Sequence, residues 1–323
     1  MQLLRDPDID PAPLEGRKIA IIGYGNQGRA QALNLHDGGF EVVIGLRENS
    51  PSIEKVEADG LRHAAPDAAV DGAALSMMLV PDEVMTSAYG MIASALPQGS
   101  ALGFSHGLAV HFGFIDPRDD LDVVMLAPKG PGTALRSLYR EGKGMPGLWA
   151  VERDVTGKAA AIVQAYGKAI GCARSGLIAS TFAEECEADL FNEQAVVWGA
   201  VPAILEAGFE TLVEAGYSEE LAYFECVSEL KLLADLIEAR GIAGMREAIS
   251  NTAELGAVLG GPRMVGEEEK AKMRAILADV RAGKFAEQLK GEEAEGYPLL
   301  RSARKEARSA KIEAVRQALD RLK

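Results

Sequence analysis

Histidine, cysteine and tryptophan are scarce in this 323-residue sequence, numbering four, three and two. Cys172, Cys186 and Cys226 form no CxxC or other metal spacing, and an odd, sparse count does not suggest a disulfide framework. Their expected state is buried, reduced thiol. Basic residues are also in deficit: 34 Lys and Arg face 48 Asp and Glu, a net charge of −14. A general binder of nucleic-acid phosphates needs the opposite balance, so no nucleic-acid partner is expected. No run approaches the roughly 18 uninterrupted apolar residues of a membrane span, and Met1–Asp8 lacks the basic and apolar regions of a signal peptide. The expectation is a soluble, cytoplasmic protein with no membrane partner. What is abundant is apolar residue, 48% of the chain, enough for two domains of ordinary size.

The acid is unevenly placed. Residues 182–265 hold 16 acids and 4 bases, while residues 301–323 hold 8 bases and 3 acids. Upstream, short β-branched runs at Lys18-Ile19-Ala20-Ile21-Ile22, Glu41-Val42-Val43-Ile44 and Val123-Val124-Met125-Leu126 alternate with Ala-rich helical segments. That rhythm is the signature of βαβ units around a parallel sheet. Beyond residue 181 it gives way to long amphipathic stretches at 184–207, 210–216, 218–240 and 266–282, punctuated by Gly208, Gly216, Gly241 and Gly260-Gly261-Pro262. The predicted fold is therefore α/β, a doubly wound Rossmann-type domain over 1–181 followed by an all-helical domain over 182–323. The basic end from Arg301 reads as a solvated helix.

The first strand runs directly into Gly23-Tyr24-Gly25-Asn26-Gln27-Gly28 and then a helix-forming segment. In that setting Gly23 permits a tight turn, Gly25 lets backbone approach a pyrophosphate, and Gly28 allows close packing of helix on strand. The helix N-terminus offers unpaired N–H groups to the anion. The second strand ends at Gly45-Leu46-Arg47, where an NAD site would carry an acid for the ribose hydroxyl. Arg47, followed by Ser50 and Ser52, suits a 2′-phosphate, so NADPH is the expected cofactor. The neighbouring Glu48 could instead bind a ribose hydroxyl or pair with Arg47.

Asp189 and Glu193 stand four apart, as do Glu225 and Glu229, so each pair shares one helix face. Either pair alone reads as a solvated face. Four acids among apolar and aromatic neighbours on two helices call for cations, and all-oxygen ligation without histidine suits Mg²⁺ rather than Zn²⁺.

These residues resemble the ketol-acid reductoisomerases, also called acetohydroxy acid isomeroreductases, in their short bacterial form. The resemblance runs through the glycine turn, Gly45-Leu46-Arg47, Leu79-Val80-Pro81-Asp82-Glu83, His106-Gly107, Ala127-Pro128-Lys129-Gly130-Pro131-Gly132, Asp189-Leu190-Phe191, Glu193-Gln194, the segment from Ala207 to Tyr217, and Tyr223-Phe224-Glu225-Cys226. It implies that the helical domain is knotted. It also implies that Asp189 and Glu193 of one subunit meet Glu225 and Glu229 of another across two Mg²⁺, in a homodimer or larger assembly. By the same resemblance His106, Lys129 and Glu229 are catalytic. Pro81, Asp82 and Gly132 join the glycine turn in holding the cofactor, and Pro131, Trp198 and Ser250 contact substrate. The implied reaction begins from a 2-hydroxy-2-alkyl-3-keto acid such as 2-acetolactate, moves the alkyl group to the neighbouring carbonyl carbon, and reduces the new ketone to a 2,3-dihydroxy acid on the branched-chain amino acid route.

Several positions depart from the family pattern. Arg29 and Gln31 replace the usual histidines, Ser105 precedes His106, and Asn192 stands where glycine is common. Trp198 replaces a small cysteine of the substrate pocket. Read on a helix continuing past Glu193, Trp198 lies one turn from Gln194 and would narrow the pocket for the migrating group. Two other readings are a diverged reductoisomerase or 2-keto acid reductase with a changed substrate, and a non-catalytic nucleotide-sensing oligomer. Retention of all four acids argues against the last.

Overall fold

The computed structural model describes residues 3–321, so residues 1–2 and 322–323 of the two expected domains lie outside the described residues. The chain divides into two compact units, Met1–Ala188 and Asp189–Lys323.

The N-terminal unit is built on nine strands: β1 (Leu3–Leu4), β2 (Lys18–Ile22), β3 (Glu41–Gly45), β4 (Arg62–Ala64), β5 (Leu75–Met78), β6 (Ala101–Phe104), β7 (Asp122–Pro128), β8 (Gly147–Arg153) and β9 (Leu177–Ala179). Its helices are α1 (Asn26–Asp37), α2 (Ile53–Ala58), α3 (Pro66–Val70), α4 (Met85–Ile92), α5 (Leu108–His111), α6 (Gly132–Arg140), α7 (Ala159–Ala169) and α8 (Phe182–Ala195), the last crossing the division between units. The sheet order is β1-β9-β8-β7-β6-β5-β2-β3-β4. β7, β6, β5, β2, β3 and β4 are mutually parallel. Every residue of β5, β6 and β7 is buried, as expected of parallel strands covered on both faces.

The expected parallel sheet is in fact mixed. β8 runs antiparallel to β7, with Pro128 opposite Gly147, and β1 pairs antiparallel with β9. The chain leaves the sheet at Pro128, forms α6, and re-enters at the edge it left. Repeated β-branched runs report strands but not their direction.

In the helical unit α9 (Ala200–Glu214), α10 (Glu219–Tyr223) and α11 (Leu230–Ala248) are followed by α12 (Asn251–Met264), α13 (Glu267–Arg281), α14 (Lys284–Ala294), α15 (Pro298–Ser309) and α16 (Lys311–Asp320). A π-helical turn over Phe224–Ser228 joins α10 to α11. Phe209, Ala222 and Val315 form a small buried core, against which Leu212, Tyr223 and Ile312 pack.

Four details correct the sequence reading. The stretch 184–207 is two helices separated by a turn at 196–199. Gly208 lies inside α9, where a β-carbon would stand 3.2 Å from the Cys226 sulfur, so it permits close packing and ends nothing. α12 runs through Gly260-Gly261-Pro262 to Met264, since proline in the last turn forfeits a single backbone bond. The basic end is two helices, α15 and α16. Gly241 does interrupt α11, with φ 68° and ψ 175°.

The segment Phe182–Glu214 is long and apolar enough to cross a membrane, with mean hydropathy 1.5 in its most apolar window. The turn at 196–199 breaks that segment, and only 6% of the window is buried.

Candidate active site

The glycine turn links β2 to α1. Gly23 has φ 99°, and a β-carbon on Gly28 would meet the Gly23 carbonyl oxygen at 2.6 Å. Helix and turn can approach this closely only with glycine at both places. Gly25 is exposed with open space around its α-carbon, leaving the α1 N-terminus accessible. Behind it Tyr24 is buried and donates to Asp59 Oδ2 at 2.8 Å, while Arg29 grips both Asp59 oxygens at 2.7 Å. The Arg29 guanidinium holds the Asp59 carboxyl below its ordinary range against the opposing effect of burial. The Tyr24 hydroxyl thus anchors the end of α2, while Tyr24 also lines the cleft beside the turn.

A cleft of about 330 Å³ opens beside this turn, lined by Gly23, Tyr24, Gly25, Arg47, Ser50, Ser52 and Pro81 among others. Arg47 is exposed, and Ser50 Oγ accepts from the Ser52 N–H at 3.3 Å, leaving its own hydrogen to donate. The cleft, the glycine cradle and the accessible helix terminus fit a dinucleotide. At the neighbouring helix start, Asn26 Oδ1 accepts from the Thr133 N–H at 2.9 Å, and a β-carbon on Gly132 would lie 2.2 Å from the Asn26 carbonyl oxygen. Pro131, immediately before, is exposed.

His106 follows β6 and Lys129 follows β7, both at the carboxyl edge of the parallel strands, where open α/β sheets bind their ligands. Glu185 on α8 joins them. Its carboxylate, 2% exposed, lies 2.9 Å from His106 Nδ1, accepts from the Gly107 N–H at 2.9 Å, and stands 3.5 Å from Lys129 Nζ. Burial disfavours charge on His106, but the Cys186 thiol and the Glu185 carboxylate outweigh it and hold the imidazole pKa well above its usual value. Burial acts to raise Glu185, yet His106, the Gly107 N–H and Lys129 keep its pKa below the ordinary carboxylate range. The result is a carboxylate held between the His106 ring and the Lys129 ammonium, an arrangement that favours the protonated ring. Cys172, by contrast, is fully buried, and burial pushes its thiol up to about 12, so it is inert near neutral pH.

Sequence reasoning missed Glu185, although a signal was present. Glu185, Asp189 and Glu193 recur every four residues on α8 and share one face.

Asp189 is partly buried and Glu193 exposed on α8; Glu225 lies in the π-helical turn and Glu229 ends it, both exposed. Among the described residues, no three of these four acids gather their oxygens within 4.8 Å. The two pairs offer hard carboxylate oxygens, a donor chemistry that fits Mg²⁺. Ser250 caps α12, its Oγ accepting from the Ala253 N–H at 3.2 Å, and is exposed. Trp198 is 66% exposed and sits in the turn after α8. The reading that places it one helical turn beyond Gln194 does not hold, because α8 ends at Ala195.

Residues 13–176 match the family described as acetohydroxy acid isomeroreductase, NADPH-binding domain, and residues 182–323 match ketol-acid reductoisomerase, C-terminal domain. The chain belongs to the ketol-acid reductoisomerase family. It is 41% identical to an NADH-preferring ketol-acid reductoisomerase from an uncultured archaean, with TM-score 0.97 over 100% of this chain and 99% of that one. Two more distant structures share the fold alone. One is a semialdehyde dehydrogenase NAD-binding protein from Cupriavidus necator, at 19% identity and TM-score 0.63 over 82% of this chain and 99% of that one. The other is an oxidoreductase of Jannaschia sp., at 15% identity and TM-score 0.63 over 85% and 98%. The chain is thus a ketol-acid reductoisomerase, an enzyme that rearranges and then reduces a small hydroxy-keto acid using a nicotinamide cofactor. Magnesium dependence and a place in branched-chain amino acid synthesis follow from the family.

Proposed function

We propose that the enzyme works as a cytoplasmic homodimer or larger homo-oligomer, takes 2-acetolactate or a close analogue, and uses NADPH with two Mg²⁺. The placement of His106, Lys129 and Glu185 at the strand edge that also carries the nucleotide cleft supports this reading best. Arg47, Ser50 and Ser52 hold the 2′-phosphate, with Gly23–Gly28, Pro81, Asp82 and Gly132 along the rest of the dinucleotide. Asp189, Glu193, Glu225 and Glu229 hold the metals, which supply Lewis-acid polarisation of the substrate's oxygens when bound.

The substrate hydroxyl must lose a proton before the alkyl group moves, and Glu229 accepts it. The ketone formed by migration gains negative charge on oxygen as hydride arrives, and the cationic Lys129 and His106 stabilise that charge. Glu185 keeps both cations in place. Pro131, Ser250 and Trp198 border the substrate, with Trp198 limiting the group that migrates.

NADH is a second reading of the cofactor, favoured by the NADH preference of the 41% identical archaeal enzyme and by the exposed Glu48 beside Arg47. Turnover of 2-acetolactate with Mg²⁺, measured with each cofactor and with the product identified, tests the proposal. It predicts a 2,3-dihydroxy acid and a higher kcat/KM with NADPH. Equal efficiency with both cofactors rejects the 2′-phosphate assignment, and turnover without a divalent metal rejects the metal assignment.

A further inference from the structure

Gln31 stands on the second turn of α1 with no exposure to solvent, yet every polar group on its side chain is engaged. The Tyr166 hydroxyl, buried on α7, donates to Gln31 Oε1 at 2.6 Å. Gln31 Nε2 donates to Gln27 Oε1 at 3.0 Å and to Ser105 Oγ at 3.1 Å. Gln27, one turn earlier and inside the glycine turn motif, donates through Nε2 to the Gly130 carbonyl at 2.9 Å. Ser105 immediately precedes His106, and Gly130 immediately follows Lys129.

The direction of this chain is fixed by its end. A backbone carbonyl can only accept, so Gln27 must turn its amino group to Gly130 and its oxygen inward. Gln31 must then present its own amino group to that oxygen, leaving its carbonyl for the Tyr166 hydroxyl. Reversing one amide would set two acceptors face to face somewhere along the chain. A buried network with all partners satisfied and a single allowed polarity is stiff, and it specifies one geometry.

We propose that Gln31 is a positioning residue of the reductoisomerase: it ties the cofactor-binding turn to the strand ends carrying His106 and Lys129, so that cofactor binding and placement of the two cations are coupled. The inference rests on the functional reading above and adds a residue that touches neither substrate nor cofactor. An amide has no titration in the working range, so the link keeps its polarity at every pH at which the fold persists.

Three variants test it. Gln31→Met keeps the length and removes the polar groups; kcat is expected to fall by about 10- to 100-fold, with the Kd for NADPH moving less than about threefold. Gln31→Glu keeps one donor while its carboxyl is protonated and none once ionised. Its kcat should therefore fall as pH rises through the carboxyl pKa, a limb absent from the unmodified enzyme. Ser105→Ala removes one half-exposed partner, puts little strain on folding, and should lower kcat without changing the NADPH Kd. Hydrogen exchange gives a readout that needs no turnover. Saturating NADPH should slow exchange at residues 23–28, 105–107 and 129–133 in the unmodified protein, but only at 23–28 in Gln31→Met. An inactive unmodified protein that retains this coupled protection rejects the activity while supporting the link. Unchanged kcat in the Met and Ala variants, a Glu variant whose pH profile superimposes on the parent, or coupled protection surviving in Gln31→Met overturns the proposal.

Discussion

In the N-terminal unit β5, β6 and β7 are buried at every residue, whereas in the helical unit Leu232, Ile242, Leu255, Leu259 and Met264 are 60–65% exposed. Beyond residue 188 the buried apolar residues are Leu190, Ala195, Phe209, Ala222, Val280, Ala286 and Val315. Full burial of one leucine or isoleucine is worth roughly 1.5–3 kcal/mol, so a chain leaving this many exposed forgoes much of its driving force. Large exposed apolar surfaces are characteristic of interaction sites. The contrast teaches that the N-terminal unit buries its own apolar residues while the helical unit leaves many of its own exposed, and the proposed homo-oligomer would cover them with a second copy. The acids proposed to hold metal follow the same division: both pairs lie in the helical unit, and among the described residues no three of them come together in one chain.

The largest effect should come from breaking the helical unit's chemistry while leaving its partner intact. Asp189→Asn or Glu229→Gln should lower turnover by more than the roughly 10–100-fold typical of losing an outer-shell partner of a metal site. NADPH binding, measured by fluorescence titration, should stay within about threefold, since Rossmann cofactor sites are built by strand ends and the following helix. Comparable loss of cofactor binding would dissolve the contrast between the units.

Next in size is the apolar surface itself. Leu255 and Leu259 share a face of α12, and replacing both by lysine should split the assembly and remove most of the activity. Light scattering coupled to size exclusion checks this; an unchanged mass would show that this face is not the contact. A smaller effect, confined to the N-terminal unit, is expected at Arg47. Arg47→Asp should lower kcat/KM for NADPH by about 10- to 100-fold through loss of a charge-assisted contact, with oligomer mass and NADH turnover little changed.

These outcomes would also measure how far the sequence alone informs. The glycine turn was readable because its three glycines follow a strand and open a helix, a context few other arrangements produce. The strand directions at β8 and β1 were not, since side-chain pattern is indifferent to parallel or antiparallel pairing. Gly208 misled because a small residue serves close helix packing as well as termination, and the nearby Cys226 sulfur distinguishes the two; Gly260-Gly261-Pro262 misled because a proline in the last turn of a helix forfeits only one backbone bond. Glu185 escaped because a glutamate on a helix ordinarily faces water, whereas here His106, the Gly107 N–H and Lys129 converge on it. Arg29 and Gln31, noted only as departures, acquire roles once Asp59 and Ser105 are seen beside them.

The smallest predicted effect concerns acid stability of the N-terminal unit. Asp59 has a folded pKa below its unfolded value, chiefly through Arg29, so its contribution is present above about pH 4 and lost as pH falls through the folded value. Asp59→Asn should therefore lower Tm at neutral pH and reduce the dependence of Tm on pH below 4. A parallel displacement of the whole Tm curve would mean that the Arg29 pair is not responsible.

The claim that the site is shared between two subunits is tested most directly by complementation. One inactive variant carries Asp189→Asn with Glu193→Gln, the other Glu225→Gln with Glu229→Gln, and the two are co-expressed so that subunits mix during folding. If each site draws one acid pair from each chain, random pairing leaves half the dimers mixed, each with one intact site of two, and activity returns to about a quarter of the unmodified level. If all four acids come from one chain, no mixed dimer contains an intact site, and the co-expressed protein stays as inactive as either variant alone.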